Sequence, residues 1–214
     1  MKNMHSIRTD YVKGEMRMQD LLSTPEQQLS VWLDDAIKSD ALDANAFCLS
    51  TVNAEGCPTG RIVLVKEIKG ESLVFYTNKS SSKAQDLMLN PRAAATFYWP
   101  ELERQVCVRG NVSVVSDKEN DEYFATRPRE SQLGAWVSDQ SKTMESRETL
   151  EKALKKVEEK YSGADKIDRP PHWGGFRIEF ESVEFWQGRA SRLHDRVVYT
   201  KDGNGGWGKS LLQP

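Results

Sequence analysis

The chain has 214 residues, 30 Lys and Arg against 32 Asp and Glu, and a formal net charge of −2, a length that suits one domain of about 100–200 residues with a core large enough to stand without staples. The near-neutral balance gives no reason to expect a nucleic acid or a membrane surface as partner. Three cysteines, Cys48, Cys57 and Cys107, show neither a CxxC pair nor metal-ligand spacing, and with no signal-like or membrane-length apolar run the expected location is the cytoplasm.

Residues 1–20 read as a flexible polar arm and 21–214 as a single domain. Thr24-Pro25-Glu26-Gln27 supplies an N-cap, a proline at the first helical position and a capping-box glutamine, and Leu29, Trp32, Leu33, Ala36 and Ile37 then recur at helical spacing. The period changes in AFCLSTV, RIVLVKEI and LVFYTN, three strands separated by the turns NAEGCP and KGES. Ser80, Ser81 and Ser82 are expected to cap a short helix over KAQDLMLN, which stops before Pro91. AAATFYW and RQVCVRGNVSVVS are two more strands, a helix runs from Asp117 to Arg127-Pro128, and SRETLEKALKKVEEKY is a long helix with its acids early and lysines late. SGADKIDRPPHWGG reads as a loop, FRIEFESVEFWQG and HDRVVYT as strands, and DGNGG as a turn before WGKSLL. Consecutive hairpins without βαβ alternation predict a mainly β (α+β) fold, a closed or split antiparallel barrel of six to eight strands with about four peripheral helices.

Four clusters carry chemical potential. In Arg192-Leu193-His194-Asp195-Arg196 a strand would project Arg192, His194 and Arg196 from one face, either as a solvated edge or, beside Phe185-Trp186, as a seat for a flat anion. In RIVLVK, Arg61 and Lys66 bracket four aliphatics and face opposite sides of a regular strand unless a bulge intervenes. Tyr76-Thr77 runs into a serine-rich turn with Lys83 in the first turn of a helix, where the macrodipole disfavours a cation and a phosphate would explain it. Tyr123 and Arg127, four apart on a helix face, precede Arg129 and Ser131; a guanidinium fork with hydroxyls suits phosphate, and a charged helix end is the plainer alternative. No dinucleotide fingerprint, P-loop, HExxH or Ser–His–Asp order is present. A protein offering mostly anion-binding and stacking groups leaves the reaction to a cofactor.

Taken together, RIVLVK, VFYTN, ERQVCVRG, RPRESQLGAWVSDQS and FWQGRASRLHDR resemble the pyridoxine/pyridoxamine 5′-phosphate oxidase family, in order and spacing, from Arg8 and Tyr11 to the terminal proline. The resemblance implies an FMN-binding split β-barrel working as a homodimer, with each flavin held by both subunits. It implies FMN contacts from Arg61, Ile62, Val63, Leu64, Val65, Lys66, Tyr76, Thr77, Lys83 and Gln105, and from Gln140, Ser141, Trp186 and Arg196, some of them supplied by the second subunit. Ser82 stands where the family usually carries arginine, so a hydroxyl replaces a charge-assisted contact beside Lys83. Lys66, Tyr123, Arg127 and Ser131 match the groups that hold the substrate phosphate; Arg192 and His194 match those around the pyridine ring; Arg8 and Tyr11 match an arm that closes over the site. Asp43 is a further candidate for moving a proton, and Arg189 adds charge nearby. No metal is implied. The activity implied is oxidation of pyridoxamine or pyridoxine 5′-phosphate to pyridoxal 5′-phosphate with oxygen as acceptor. The alternatives are a related flavin oxidase acting on a phenazine precursor, which the phosphate-binding RPRESQ segment disfavours, and a non-catalytic flavin or pyridoxal-phosphate binder.

Overall fold

The computed structural model describes residue 5 and residues 10–214. Among them are nine strands in one antiparallel sheet, where six to eight are expected from the sequence, and five α-helices, where about four are expected. The strands are β1 (Ala46–Val52), β2 (Pro58–Leu64), β3 (Glu67–Ile68), β4 (Ser72–Asn78), β5 (Arg92–Trp99), β6 (Arg104–Val114), β7 (Trp173–Gln187), β8 (Asp195–Lys201) and β9 (Trp207–Leu211), and the helices are α1 (Pro25–Lys38), α2 (Ser82–Leu89), α3 (Asp117–Thr126), α4 (Arg129–Val137) and α5 (Arg147–Lys160).

The strand order is β2-β1-β5-β6-β7-β4-β3. RIVLVKEI, expected as one strand, is broken between β2 and β3. Val65 N–H still bonds Asn45 O beside β1, whereas the next residue, Lys66, donates to Val74 O of β4. This change of partner joins the two ends of the order into a ring, as a barrel requires. The long strand β7 then splits it: Trp173–Glu179 pairs with β4, Ser182–Gln187 pairs with β8, and β6 accompanies both halves.

Alternation sets the faces. Phe47, Leu49, Phe97, Trp99, Val106, Val108, Val183 and Phe185 point inward and are buried. The Phe47 ring packs on Phe75 at 5.9 Å and on Phe97 at 5.3 Å between centroids. Helix α1, capped by Thr24 Oγ1 accepting from Gln27 N–H at 3.3 Å, lays Leu29, Trp32 and Ala36 on this core, with Trp32 edge-on to Phe185. Ile37, part of the same periodicity, is exposed. Met16, from the segment before α1, is buried in the core as well. A second cluster forms where Phe124 of α3, Leu133 of α4, Ile167 and Trp173 meet under α5.

At Arg109/Gly110 the β6–β7 register shifts, skipping Glu181. A Cβ on Gly110 would lie 1.7 Å from Glu179 O, so the bulge depends on bare backbone. Gly110→Ala is expected to lower unfolding free energy by about 1–3 kcal/mol, in the range of core overpacking. Urea denaturation measures it, and an unchanged midpoint would mean the two strands separate there without cost.

Candidate active site

A cavity of about 540 Å³ opens at the bend between β2 and β3. Arg61, Ile62, Val63, Leu64 and Lys66 form one wall, and Tyr76, Thr77 and Asn78, at the end of β4, form its floor. Lys83 of α2, Arg127, Ser131 of α4, Gln140 and Trp173 close it. The strand break explains how Arg61 and Lys66, five apart, reach the same space: Lys66 belongs to the chain after the partner change, not to the pleat of β2. None of the lining residues is a carboxylate, while four are cations: Arg61, Lys66, Lys83 and Arg127.

The cations fall into two groups. Lys83 Nζ donates to Gln140 Oε1 at 2.9 Å and lies 3.4 Å from the hydroxyls of Thr77 and Ser81. Thr77 donates to the same Gln140 oxygen at 3.0 Å. Burial, and then the Arg61 charge, hold the Lys83 amine below the usual lysine range. Arg61 donates to Thr51 Oγ1 at 2.7 Å and stands 3.9 Å from Asp86, a carboxylate behind the wall. Ser81 is the N-cap of α2 but makes no side-chain capping bond, contrary to the expected serine cap. The first N–H groups of that helix are therefore left for another acceptor.

Arg127 leads the second group. Its guanidinium carbon sits 4.7 Å over the Trp173 ring and 5.6 Å over Phe124, and its Nη1 is buried with no hydrogen-bond partner among the described residues. Burial lowers its pKa. A buried cationic donor without a partner is costly unless an anion completes it. Ser131 stands beside it in the first turn of α4, a helix absent from the elements expected from the sequence. Tyr123 stacks on Tyr76 at 4.0 Å, and Tyr76 in turn stacks on Trp173 at 5.2 Å. Burial pushes the Tyr76 hydroxyl up to about 12, so it stays protonated as a donor.

A second constellation lies elsewhere on the sheet. Gln105, Trp186 and Arg196 are cross-strand neighbours on β6, β7 and β8, with outward-facing side chains. Trp186 packs on His194 at 4.6 Å, and Tyr11 meets both rings edge-on at 5.5–5.6 Å. The expected strand alternation of Arg192, His194 and Arg196 does not occur. Ala190–Arg192 is a single helical turn in which Ser191 and Arg192 are left-handed, and β8 starts only at Asp195. Arg196 is already paired, with Glu184 at 2.8 Å and Gln213 O at 2.9 Å. Arg192 is exposed, and among the described residues no hydrogen bond or ion pair is formed by it.

His194 Nδ1 accepts the Arg189 backbone N–H at 3.1 Å. The proton of the neutral ring therefore sits on Nε2. Burial and the nearby Arg192 charge both lower the pKa of His194. An NMR titration should give a midpoint below the ordinary histidine value of about 6.5; a midpoint above that value would contradict the accepting role of Nδ1.

None of Gln105, Trp186, Arg192, His194 or Arg196 lines the cavity. Within one chain the two constellations stay separate. Val65 turns its side chain into the core, Ser82 is exposed, and Ser141 borders an adjoining hollow of about 330 Å³ that shares Gln140. Asp43 lies on an exposed turn with φ 48° and belongs to neither group. Arg8 falls outside the described residues. Five lining residues are not among the candidates named from the sequence: Asn78, Gly134, Ala135, Ser138 and Trp173. Buried Asn78 ties the β4 end to Ser138 O at 2.9 Å and to Ser80 N–H at 2.7 Å, and Trp173 was absorbed into a proline-rich loop. An asparagine at a strand-to-helix turn was the available signal for the first.

The sequence matches the family described as "Pyridoxamine 5'-phosphate oxidase" over residues 33–161, and the "Pyridoxine 5'-phosphate oxidase C-terminal dimerisation region" over residues 173–214. It is 46% identical over 212 residues to the pyridoxine/pyridoxamine 5'-phosphate oxidase of Cytophaga hutchinsonii, covering 99% of each chain. It is 43% identical over 208 residues to that of Microcystis aeruginosa, covering 97% of each. Among solved structures, PhzG from Burkholderia lata in complex with tetrahydrophenazine-1-carboxylic acid superposes with a TM-score of 0.86 at 28% identity, over 92% of this chain and 95% of that one. A pyridoxamine 5'-phosphate oxidase-related, FMN binding protein from Nostoc punctiforme shares the fold, with a TM-score of 0.73 at 16% identity, over 91% of this chain and 100% of that one. By sequence along its whole length and by fold, this chain belongs to the pyridoxamine 5′-phosphate oxidase family.

Proposed function

We propose that the protein is an FMN-dependent oxidase that converts pyridoxamine 5′-phosphate, water and oxygen to pyridoxal 5′-phosphate, ammonia and hydrogen peroxide. Pyridoxine 5′-phosphate and oxygen would give the same aldehyde and hydrogen peroxide. The observation that carries this reading is the cavity wall: four cations, no carboxylate, and one buried guanidinium nitrogen without a partner. Such a site calls for anionic ligands. Its two cation groups suit two phosphates, one from the cofactor and one from the substrate.

FMN, when bound, supplies the two-electron chemistry and the route to oxygen. The chain's own residues bind and orient. Lys83, Thr77, Gln140, Arg61 and the uncapped start of α2 would hold the cofactor phosphate, with Ser82 at its edge. Arg127, Lys66, Ser131 and Tyr123 would anchor the substrate phosphate, so that binding energy remote from the reacting carbon holds the ring in place. Arg192 and the Nε2–H of His194 would meet the pyridine. Asp43, exposed and outside both groups, has no part in this assignment.

The two constellations meet if two copies associate. The outward face of β1, β5 and β6 carries small side chains, Ala46, Cys48, Ala94, Thr96 and Cys107, flanked by exposed Ile62, Leu64 and Tyr98. A homodimer closing on this face would cover it and bring Gln105, Trp186, Arg192, His194 and Arg196 of one copy to the cavity of the other. Among the described residues no helix is long and apolar enough to cross a membrane. The three thiols are free and would stay reduced in the cytoplasm, the proposed location.

Purified protein should show a flavin spectrum that bleaches when pyridoxamine 5′-phosphate is added without oxygen, and should release aldehyde and peroxide with it. The likeness to PhzG favours a second substrate, tetrahydrophenazine-1-carboxylic acid. Faster turnover of that acid than of either phosphorylated pyridine would replace the first reading, and a preparation that cannot be loaded with FMN would end both.

A further inference from the structure

The segment before α1 lies across the loop that carries Arg192 and His194, and the Arg189 side chain reaches a carboxylate of each. Lys13 N–H donates to Glu103 Oε2 at 2.9 Å, and Met16 N–H donates to Asp195 Oδ2 at 2.9 Å. Tyr11 lies so close to Gly188 that an added methyl would come within 2.7 Å of its ring. Between these anchors Arg189 Nη1 donates to Glu15 Oε2 at 3.1 Å, and its Nε stands 3.7 Å from Asp195 Oδ2. The backbone N–H of the same residue is the donor to His194 Nδ1.

We propose that Arg189 is a positioning residue that clasps the strap of residues 11–17 to the loop of residues 189–195 and so fixes the stance and the tautomer of His194. Two carboxylates within the chain offset the guanidinium charge. That separates it from Arg192, whose charge is left for a ligand. Three further contacts hold the strap on both sides of the clasp, so removing the Arg189 side chain weakens the join between strap and loop while the anchors to Glu103 and Asp195 remain. A lone exposed ion pair contributes little; this one bridges two segments and shares a residue with the hydrogen bond that sets the imidazole proton. The inference rests on the reading that His194 meets the substrate ring.

The test uses the FMN-loaded dimer and the variants Glu15→Gln, Arg189→Ala, their double and Arg189→Lys. Arg189→Ala keeps the backbone N–H, so any change at His194 reports the lost clasp. Each single variant is expected to lower kcat/KM for pyridoxamine 5′-phosphate by about tenfold at unchanged flavin content, as small misplacements of reacting groups do. The double variant should be no worse than Arg189→Ala, the mark of one shared interaction, and Arg189→Lys should recover most of the loss. Nitrogen-15 NMR, with His194→Gln to assign the ring, should show a single Nε2–H tautomer in the parent and a mixture in Arg189→Ala. Parent-like tautomer and kcat/KM in both single variants would overturn the clasp. A changed tautomer with unchanged turnover would leave the clasp standing and overturn instead the placement of His194 at the ring. Should Arg189→Ala not fold, Glu15→Gln, at an exposed position, carries both readouts.

Discussion

Arg127→Ala is expected to raise the KM for pyridoxamine 5′-phosphate by roughly 30- to 150-fold, the equivalent of about 2–3 kcal/mol for a lost charge-assisted phosphate contact. Turnover at saturation should fall much less, because the contact is remote from the reacting carbon and acts on bound substrate and transition state alike. The same change should hardly disturb folding. Arg127 holds a buried nitrogen without a partner, and its stacking on Trp173 and Phe124 is the main thing lost, worth about 1 kcal/mol. A cation kept buried and unsatisfied by the fold alone is hard to explain except by its ligand. Steady-state kinetics with the phosphorylated and the dephosphorylated amine decide the matter: the variant should narrow the difference between the two. A KM within twofold of the parent would remove Arg127 from the phosphate site.

The second large effect concerns the two constellations. Arg192→Leu and Arg127→Ala are each expected to leave little activity at low substrate, the first through turnover and the second through binding. In the proposed symmetric dimer each site would take its cavity from one copy and its Arg192 and His194 from the other. A heterodimer of the two variants then has one site with both defects and one with neither. Purified heterodimer should therefore show about half the parent activity, and a statistical mixture, half of it heterodimer, about a quarter. If each site were completed within one chain, mixing would give no more than the mean of the two variants. Differently tagged copies, co-expressed and separated, make the measurement.

Much of the architecture was legible in the residues. AFCLSTV and AAATFYW alternate cleanly because one face is core and the other is not. Thr24-Pro25 starts α1 where expected, since that local chemistry needs no partner from elsewhere. RIVLVKEI could not be divided by pattern, as an unbroken apolar run fits one strand as well as two. Its break is set by which neighbour offers a carbonyl, Asn45 or Val74. α4 was hidden because RPRESQLGAWV begins on a proline with no capping side chain. RLHDR looks like a strand by alternation, yet Leu193 is exposed and the turn at Ser191-Arg192 is flanked by Arg189 and His194, which contact Glu15, Tyr11 and Trp186.

By itself the sequence determined the class of fold, the cationic and aromatic groups available and, through five segments in register, the family they resemble. Hydrophobic period and turn chemistry act over a few residues, so they can be read in a line. Only the tertiary structure decided that Arg61, Lys66, Lys83 and Arg127 face one space without a carboxylate, while Trp186, His194 and Arg196 gather on another part of the sheet. Those groupings depend on where a chain bent at Val65–Lys66 and a strand split along β7 bring distant residues, and loop closure and desolvation act on the folded whole.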